Sequence, residues 1–374
     1  HRLNTDQSGS VSSSGEEAPS TRKDPVLRPG SGPGAVQSVT LDEVTVFEQI
    51  DQGGFSNIHA AEFRGTPVAV KLPRFDSNDP TAAVDALLRE IRILSRLDRQ
   101  KGLCRVIAAG TQPIPFLVLE RLQASNLSSR LGTDTPARSG KSSFSQWMKG
   151  KQRNRNLPLT ERLQMATDLA RTLCHLHETA IGGGCVMHRD LKPSNVGFSA
   201  DGSIRLFDFG LSRVMQQREF SDEVFEMTGD TGSQRYMAPE VILGKPYNEK
   251  ADVYSFALVV WEMCSLKKPY QGLSADDHWK EVAVNCYRPP LDPSWPAHLR
   301  TLLQEGWHSD PQRRPAAHTM SERLASIVKA AEAPAPQSER GHSDRGGWRL
   351  RLPSPAPTRG KGRRRSSGGD GGDD

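Results

Sequence analysis

The chain has 374 residues, of which 35% are hydrophobic and 25% are charged, and its formal net charge is +5. This length allows two ordinary domains or one two-lobed domain with tails, and the low hydrophobic fraction predicts solvated segments beside a true core. The net charge is too small to indicate a nucleic-acid-binding protein. No run approaches the roughly 18 apolar residues of a membrane span, so we expect none. The five scattered cysteines include no Cys-x-x-Cys pair, which argues for reduced thiols in a cytoplasmic protein and against a disulfide framework or a zinc site.

Both ends of the sequence differ in composition from its centre. Residues 1–40 are rich in Ser, Gly, Pro and charge and lack periodicity, which predicts a disordered segment, and residues 331–374 predict a disordered basic and Gly-rich tail. The patterned region at residues 41–330 is interrupted by an irregular basic insertion at residues 132–156. A structureless stretch of this length is uncommon inside a compact domain, so the insertion is either functional or, as we favour, a solvated loop.

The patterned region begins with strands and continues with helices. Strand patterns occupy residues 44–50, 58–63, 68–72, 106–109 and 116–119, with a turn at residues 64–67. A helix is predicted over residues 82–97, and its apolar face comprises Val84, Leu87, Leu88, Ile91 and Leu94. Later helices are predicted over residues 159–178, 251–264 and 299–307. The order predicts a small antiparallel sheet with one helix, followed by a larger, mainly helical lobe.

A lysine and a glutamate in the first lobe form a candidate pair. Lys71 ends the strand pattern Val-Ala-Val-Lys, and Glu90 lies on the following helix beside its apolar stripe. Such a pair can hold an ammonium group against a polyphosphate. Taken alone, the pair would indicate no more than a surface salt bridge, which contributes little to the stability of a protein.

Residues 188–195, His-Arg-Asp-Leu-Lys-Pro-Ser-Asn, concentrate chemistry in a short loop. Asp190 can accept a hydrogen bond from an attacking hydroxyl, and Lys192 can neutralise charge on a moving phosphoryl group. Asn195 offers an oxygen to Mg²⁺, and Asp208, in Asp-Phe-Gly at residues 208–210, supplies a carboxylate for the same ion.

The loop that follows closes at Ala-Pro-Glu, residues 238–240. It carries the activation-loop hydroxyls of Thr228, Thr231 and Ser233.

Taken in order, these motifs resemble the eukaryotic protein kinase family over about residues 44–330. The resemblance implies an α+β, two-lobed protein kinase fold, with an N-lobe at about residues 41–122 and a C-lobe at about residues 123–330. It also implies ATP and Mg²⁺ as cofactors, and transfer of the γ-phosphate to serine or threonine hydroxyls of protein substrates in signalling. Lys192 follows the serine/threonine pattern, and residues 231–240 and 252–256 resemble the tyrosine-kinase-like group.

The resemblance also divides the site residues by role. The catalytic set comprises Lys71, Glu90, Asp190 and Lys192, and the metal ligands are Asn195 and Asp208. The ATP-binding set comprises Ile50, Gly53, Ile58, Ala69, Lys71, Glu120 and Leu122. Within that set, Ile58 and Ala69 would roof the adenine base, with Leu119 behind it, and the backbone of Glu120 and Leu122 would bond it.

Two further matches to the family are structural rather than catalytic. Asp252 resembles the helix-buried aspartate that braces the backbone of the 188–195 loop. Arg314 resembles the arginine that pairs with Glu240.

The phosphate-binding loop departs from the family pattern of glycines. Residues 51–56 read Asp-Gln-Gly-Gly-Phe-Ser, so only Gly53 occupies a family glycine position, while Asp51 and Ser56 stand at the others. Glycine lets backbone N–H groups approach phosphates, and Asp51 adds a negative charge beside them. We therefore expect a raised KM for ATP rather than lost activity.

A second departure is Gly197, which falls where the family usually has a large apolar residue under the adenine ring. The absence of that large side chain predicts that nucleotide binding loses about 1–2 kcal/mol of apolar contact, unless a neighbour fills the space. Together with the altered phosphate loop, Gly197 supports an alternative function, a pseudokinase that acts as a scaffold. Pseudokinases usually lose Lys71, Asp190 or Asp208, and the presence of all three favours the enzyme.

The activation loop and the tail suggest regulation. We expect an upstream activating kinase to phosphorylate Thr228 or Thr231, which would order the loop by pairing with Arg189; the alternative is a loop that is active unmodified. The basic run Arg363, Arg364 and Arg365, followed by Ser366 and Ser367, is a candidate nuclear-import signal or a phosphorylation site for a basophilic kinase, although we favour a solubilising tail in a cytoplasmic protein.

Overall fold

The computed structural model describes residues 36–77, 79–97, 100–134, 157–181, 184–215 and 234–332. Several sequence predictions lie outside the described residues: most of the insertion, the hydroxyls of Thr228, Thr231 and Ser233, the segments before residue 36 and after residue 332, and the arginine run.

A six-stranded sheet forms the first lobe. Its strands are β1 (Gln37–Ser38), β2 (Val44–Gln52), β3 (Ser56–Phe63), β4 (Thr66–Pro73), β5 (Val106–Gly110) and β6 (Phe116–Glu120). They lie in the order β1-β5-β6-β4-β3-β2, and all neighbours are antiparallel except β1 and β5. The sheet thus includes a strand that lies before the boundary predicted at residue 41, because β1 gains a partner that is distant in the sequence.

The turn between β3 and β4 is tighter than the sequence predicts. Arg64 and Gly65 both have positive φ, 52° and 75°, which suits a two-residue hairpin turn. Thr66 and Pro67, which the sequence assigns to the turn, therefore belong to β4.

Side-chain alternation along β4 separates its two faces. Val68 and Val70 lie in a buried cluster with Phe116 and Val118 of β6 on one face of the sheet. Because successive side chains of a strand point to opposite faces, Lys71 points to the other face, together with Ala69.

Helix α1 (Pro80–Leu94) packs against β4 and β6. It begins where the Asp79 carboxylate accepts from the Ala82 N–H at 2.9 Å, with Pro80 at a position that needs no hydrogen bond. It ends three residues before the predicted end, and the Ser95 hydroxyl donates to the Ile91 carbonyl there. Its buried residues are Ala83, Ala86, Leu87, Glu90, Ile91, Ile93 and Leu94. The predicted apolar face is therefore partly wrong, since Val84 and Leu88 are only partly buried.

The second lobe is mainly helical. Its helices are α2 (Leu127–Leu131), α3 (Leu159–Glu178), α4 (Pro239–Ile242), α5 (Lys250–Ser265), α6 (Ala275–His278), α7 (Ala297–Gly306) and α8 (Ala317–Glu332), with a π-helical turn at Trp279–Val284. Helix α5 is buried along nearly its whole length, and α3 packs against both α5 and α8. The sequence predicts the bounds of α3 correctly and those of α5 and α7 to within two residues.

Two short antiparallel strand pairs complete the second lobe. Strand β7 (Cys185–Met187) pairs with β10 (Arg213–Met215), and β8 (Val196–Phe198) pairs with β9 (Ile204–Leu206). The predicted architecture, a small sheet-rich lobe with one helix and a larger helical lobe, is confirmed. Within the described ranges, none of the helices has the length and apolarity needed to cross a bilayer.

Candidate active site

Lys71 joins three elements of the fold. Its Nζ lies 2.6 Å from Oε2 of Glu90 on α1 and 2.7 Å from Oδ1 of Asp208, which follows β9 in the second lobe. Lys71 and Glu90 are buried, whereas 41% of the Asp208 side chain is exposed. The predicted Lys71–Glu90 pair is therefore formed, and it is an interior pair rather than a surface salt bridge.

The charges of this cluster depend on one another. Burial alone would lower the pKa of Lys71, but the carboxylates of Glu90 and Asp208 raise it above its usual value. The ammonium of Lys71 in turn lowers the pKa of Asp208 to about 2. Burial raises the pKa of Glu90, and Lys71 opposes that rise. At neutral pH, Lys71 thus keeps its positive charge beside an ionised and partly exposed Asp208.

Residues next to Asp208 attach α1 to the second lobe. The Phe209 N–H donates to Oε1 of Glu90 at 3.2 Å, so that both oxygens of this carboxylate are used. The Phe209 ring is buried and meets the His188 ring edge-on, with 4.9 Å between centroids. The position of α1 is therefore linked to the segment that carries Asp208.

The predicted residues of the 188–195 loop lie together. Lys192 Nζ lies 2.7 Å from Oδ2 of Asp190, and Asn195 Nδ2 donates to the same oxygen at 3.1 Å and to the Asp190 carbonyl at 2.9 Å. Asp190 is 8% exposed, and the Lys192 side chain is 23% exposed. This loop therefore presents a carboxylate held by a cation and an amide, and we call the space between this loop and Lys71 the cleft.

Asp252 holds the backbone of this loop, as the sequence predicts. Its Oδ2 accepts from the His188 N–H and its Oδ1 from the Arg189 N–H, both at 2.8 Å, and His177 Nε2 lies 3.1 Å from Oδ2. Burial alone would raise the pKa of Asp252, but these hydrogen bonds, the one to His177 first, lower it.

Two residues near the cleft adopt left-handed backbone, with φ of 67° for Arg189 and 69° for Asp208. Such conformations cost of order 1–3 kcal/mol each for residues other than glycine. The two hydrogen bonds to Asp252 offset this cost at Arg189.

The predicted Glu240–Arg314 pair is also formed. Arg314 donates to both carboxylate oxygens of Glu240, at 2.6 and 2.8 Å, and its guanidinium is fully buried. This pair ties the end of the activation segment, at α4, to the chain before α8.

The predicted phosphate-binding loop is the turn between β2 and β3. The Gly53 N–H donates to the Ser56 carbonyl at 2.7 Å, which closes the turn. Asp51 is exposed and its carboxylate accepts from the Gln52 N–H at 2.8 Å, whereas Ser56 is buried. The serine thus fits at its family glycine position, and the carboxylate of Asp51 is held by the backbone N–H of the next residue.

Sequence reasoning missed a contact from Arg74 to this loop. Its backbone N–H donates to the Phe55 carbonyl at 2.9 Å, and its guanidinium donates to the Gly53 carbonyl at 3.4 Å. Arg74 lies just beyond the end of β4, three residues after Lys71. That proximity to Lys71 was the only sequence signal, and it indicates no loop contact by itself.

The segment that joins the lobes is anchored by its acidic residue. Oε1 of Glu120 accepts from the Arg105 N–H at 2.7 Å and from Arg205 Nε of β9 at 3.1 Å. The next contact along the chain is the Gln123 N–H, which donates to the Phe198 carbonyl of β8 at 2.8 Å. Glu120 and Leu122 therefore lie along a segment that is bonded to both lobes.

The remaining predicted residues lie on the sheet side of the cleft. In the strand register Ala69 faces Leu119 and Ile58 faces Lys71, which places them along β3, β4 and β6. Ile50, near the end of β2, is 46% exposed.

A family model described as protein tyrosine and serine/threonine kinase matches residues 44–324, more than half of the chain. The chain belongs to the eukaryotic protein kinase family.

Curated relatives agree with this assignment. The chain is 29% identical over 280 residues to a probable serine/threonine-protein kinase of Dictyostelium discoideum, covering 74% of this chain and 27% of that protein. It is 28% identical over 297 residues to the serine/threonine-protein kinase CTR1 of Arabidopsis thaliana, with 79% and 33% covered. With the serine/threonine-protein kinase VIK of Arabidopsis thaliana it shares 32% identity over 283 residues, with 74% and 58% covered. The kinase is a member of the tyrosine-kinase-like group, and it spans less than two thirds of the length of each of these relatives.

The donor set of this kinase fits a magnesium ion. Asn195 uses its amide nitrogen on Asp190, which turns its amide oxygen away from that residue. Asp208 contacts Lys71 through Oδ1, and the second oxygen of its carboxylate lies on a side chain that is partly exposed. In the described part of the chain, no group of three or more His, Cys, Asp or Glu side chains could hold a metal. Two protein oxygens completed by phosphates and water suit Mg²⁺ better than a metal that needs a protein cage.

Proposed function

We propose that this kinase transfers the γ-phosphate of ATP to serine or threonine hydroxyls of protein substrates. The observation that carries the proposal is Lys71, a buried ammonium that bridges Glu90 and Asp208 at 2.6 and 2.7 Å. An ammonium fixed between two carboxylates at a cleft is already in place for a polyphosphate, and phosphoryl transfer depends mainly on positioning and charge.

In this proposal, each polar side chain of the cleft has one role. Lys71 binds the α- and β-phosphates, and Glu90 holds its ammonium in place. Asp190 accepts a hydrogen bond from the substrate hydroxyl and orients it, and Lys192 neutralises charge on the transferred group. The 2.7 Å contact of Lys192 with Asp190 supports a shared position at the reacting atoms.

Magnesium would be held by Asn195 and Asp208. When bound, it neutralises charge on the phosphates. The low pKa of Asp208, about 2, which the ammonium of Lys71 causes, keeps the carboxylate ionised and ready for a cation over the physiological pH range.

The nucleotide base would bind between the sheet and the joining segment. Ile50, Ile58 and Ala69 would cover it, and the backbone of Glu120 and Leu122 would bond its edge. The turn at Gly53 would lie over the phosphates. The anchoring of Glu120 by Arg105 and Arg205 supports a rigid edge for this contact.

The type of hydroxyl that accepts the phosphate is the most specific part of the proposal. Lys192 follows the serine/threonine pattern, and several relatives are named serine/threonine-protein kinases. Others are named dual specificity protein kinases, so tyrosine is the competing acceptor. An upstream kinase acting on Thr228 or Thr231 remains part of the proposal, with Arg189 as the partner of the new phosphate.

The test is Mg²⁺-dependent transfer of labelled γ-phosphate to a generic basic protein and to the kinase itself, followed by phosphoamino-acid analysis. We expect label on serine and threonine that disappears in Asp208→Asn. Arg171→Met, which removes an exposed ion pair with Asp168, is the matched control and should keep full transfer. Label on tyrosine would correct the acceptor. Absence of transfer from folded protein, even after treatment with an activating kinase, would favour the scaffold.

A further inference from the structure

Gly197 of β8 has no room for a side chain. A Cβ built on Gly197 would lie 2.6 Å from Cδ1 of Leu122 and 3.1 Å from Cε1 of Phe207. Its backbone φ is not in the left-handed region, so the conformation alone would accept any residue. The space that a side chain would use is therefore already taken, chiefly by Leu122.

Strand alternation shows which face of β8 this is. Val196 and Phe198, on either side of Gly197, are fully buried in the main core. Because successive residues of a strand point to opposite faces, Gly197 faces away from that core. On this face, Gly197 meets Leu122 and Phe207.

Backbone hydrogen bonds fix Leu122 in this place. The Gln123 N–H donates to the Phe198 carbonyl and its side-chain amide to the Ser199 carbonyl, both at 2.8 Å. These bonds hold the joining segment against β8, so that Leu122 lies beside Gly197.

Phe207 is also held beside Gly197. Its N–H donates to the Asn195 carbonyl at 3.0 Å, and it immediately precedes Asp208. Leu122 and Phe207 are both only partly buried. They form an apolar surface between the joining segment and the residue that would bind the metal.

We propose that Leu122 supplies the apolar surface on which the adenine ring of ATP rests, in place of the side chain that Gly197 lacks. Phe207 extends this surface toward Asp208. Leu122 and Gly197 are then a size-matched pair: the large side chain of Leu122 has room because residue 197 has no side chain. This inference rests on the proposed function, since it specifies how the same site holds its nucleotide.

The pair predicts a pattern of compensation. Leu122→Ala removes apolar contact with the base and should weaken ATP binding about tenfold. Leu122→Ala combined with Gly197→Leu returns an apolar side chain to the vacated space and should recover most of that loss. Such recovery is a coupling between neighbours that independent sites do not show.

The experiment is calorimetric titration of the full chain with Mg²⁺-ATP and, separately, with inorganic tripolyphosphate, which has no base. Leu122→Ala should weaken ATP binding and leave tripolyphosphate binding unchanged. Leu291→Ala, which shortens another partly buried leucine packed on the main core, is the matched control and should change neither. Thermal unfolding of each variant shows that it is folded.

The outcomes separate this inference from the proposed function. Wild-type ATP affinity in Leu122→Ala, or equal weakening of ATP and tripolyphosphate, would overturn the role of Leu122 and leave the kinase proposal standing. A double variant no better than Leu122→Ala would overturn the size-matched pair. A wild-type chain that binds no ATP would overturn both.

Discussion

Arg314 shows how this fold stabilises a charge in its interior. Its guanidinium donates to both oxygens of Glu240, to the His308 carbonyl at 2.8 Å and to the Lys250 carbonyl at 2.9 Å, and it lies 5.0 Å from the centre of the Tyr254 ring. Burial of a charge is costly unless its hydrogen bonds are satisfied. The pair is therefore sensitive to the loss of either partner alone.

Arg314→Met should destabilise the kinase by about 3–5 kcal/mol, because it leaves the Glu240 carboxylate buried without its cation. Urea unfolding followed by tryptophan fluorescence measures this. Arg314→Met with Glu240→Gln should cost less than the sum of the single changes. Arg171→Met, at an exposed ion pair with Asp168, should cost below about 1 kcal/mol. Equal effects at the two arginines would contradict the argument from burial.

The lowered pKa of Asp208 should make the stability of the protein depend on pH. Lys71 lowers its pKa from the usual 3.8 to about 2, so the unfolded chain binds this proton more readily than the folded one. Its contribution is fully present above the usual pKa and is lost as the pH falls from about 4 toward about 2. Between pH 5 and pH 3, wild type should therefore lose more stability than Asp208→Asn, as measured by urea midpoints. If the two proteins lost stability in parallel as the pH fell, the pKa of Asp208 would not be lowered by Lys71 in solution.

Single residues also mark the limit of prediction from the sequence. The motifs predict Lys71, Glu90 and Asp208 as parts of one site, and the structure brings the three side chains together. The sequence does not indicate that Leu122 takes the space at Gly197. That contact depends on how the joining segment lies on β8, which follows from the Gln123 hydrogen bonds rather than from any pattern.

Among the elements, the phosphate loop depends on a strand outside it. Arg74, just beyond the end of β4, bonds the carbonyls of both Gly53 and Phe55. These contacts turn the two carbonyls toward Arg74, whose guanidinium is also paired with Asp76 at 2.9 Å. Arg74 therefore helps to fix the position of the loop.

Arg74→Ala should raise the KM for ATP about threefold to tenfold, with little change in kcat, since it removes one hydrogen bond that positions the loop. Arg74→Lys keeps the charge and should recover part of the loss. Steady-state kinetics with varied ATP provides the measurement. The exposed Lys329→Ala on α8 serves as the charge-matched control. A fall in kcat at unchanged KM would instead place Arg74 in the chemical step.

Long elements were predictable from the sequence, and short ones were not. Helix α3 has 20 residues with a clear apolar face, and its bounds were predicted correctly. Helix α2 has five residues and β1 has two, too few to show a period. Strand β1 forms because β5 offers it an edge, and that partner is about 70 residues away, a separation that local patterns do not report.

At the scale of the whole molecule, the two lobes meet through polar contacts and through a shared apolar core, since Leu87 and Ile91 of α1 and Leu117 of β6 lie in the same buried cluster as the helices of the second lobe. Lys71 reaches Asp208, Glu120 reaches Arg205 at 3.1 Å, and Leu103 bridges to Leu206. The order of strands and helices predicted two lobes. The approach of Lys71 to Asp208 was not predictable from periodicity, because the two residues are 137 positions apart.

A ligand that binds both lobes should stabilise the whole protein. Mg²⁺-ATP at about 100 times its Kd should add about 2.7 kcal/mol, which raises Tm by several degrees. Asp208→Asn should lose the part of this gain that depends on Mg²⁺, and EDTA should reduce the gain of wild type in the same way. Differential scanning calorimetry gives both shifts. A chain whose Tm does not respond to saturating nucleotide would argue against binding in the cleft.

The carboxylate of Asp252 should protect two amide protons of a loop from hydrogen exchange as strongly as those of a buried helix. The amide protons of His188 and Arg189 are covalently part of an irregular segment, where protons usually exchange with solvent within local openings. Here both are held by a side chain of α5, a helix that is buried almost throughout. These two protons can be released only when α5 moves away from the loop. In deuterium exchange they should therefore be among the slowest of the molecule, and the loop that carries Asp190 and Asn195 would open only when the second lobe itself unfolds.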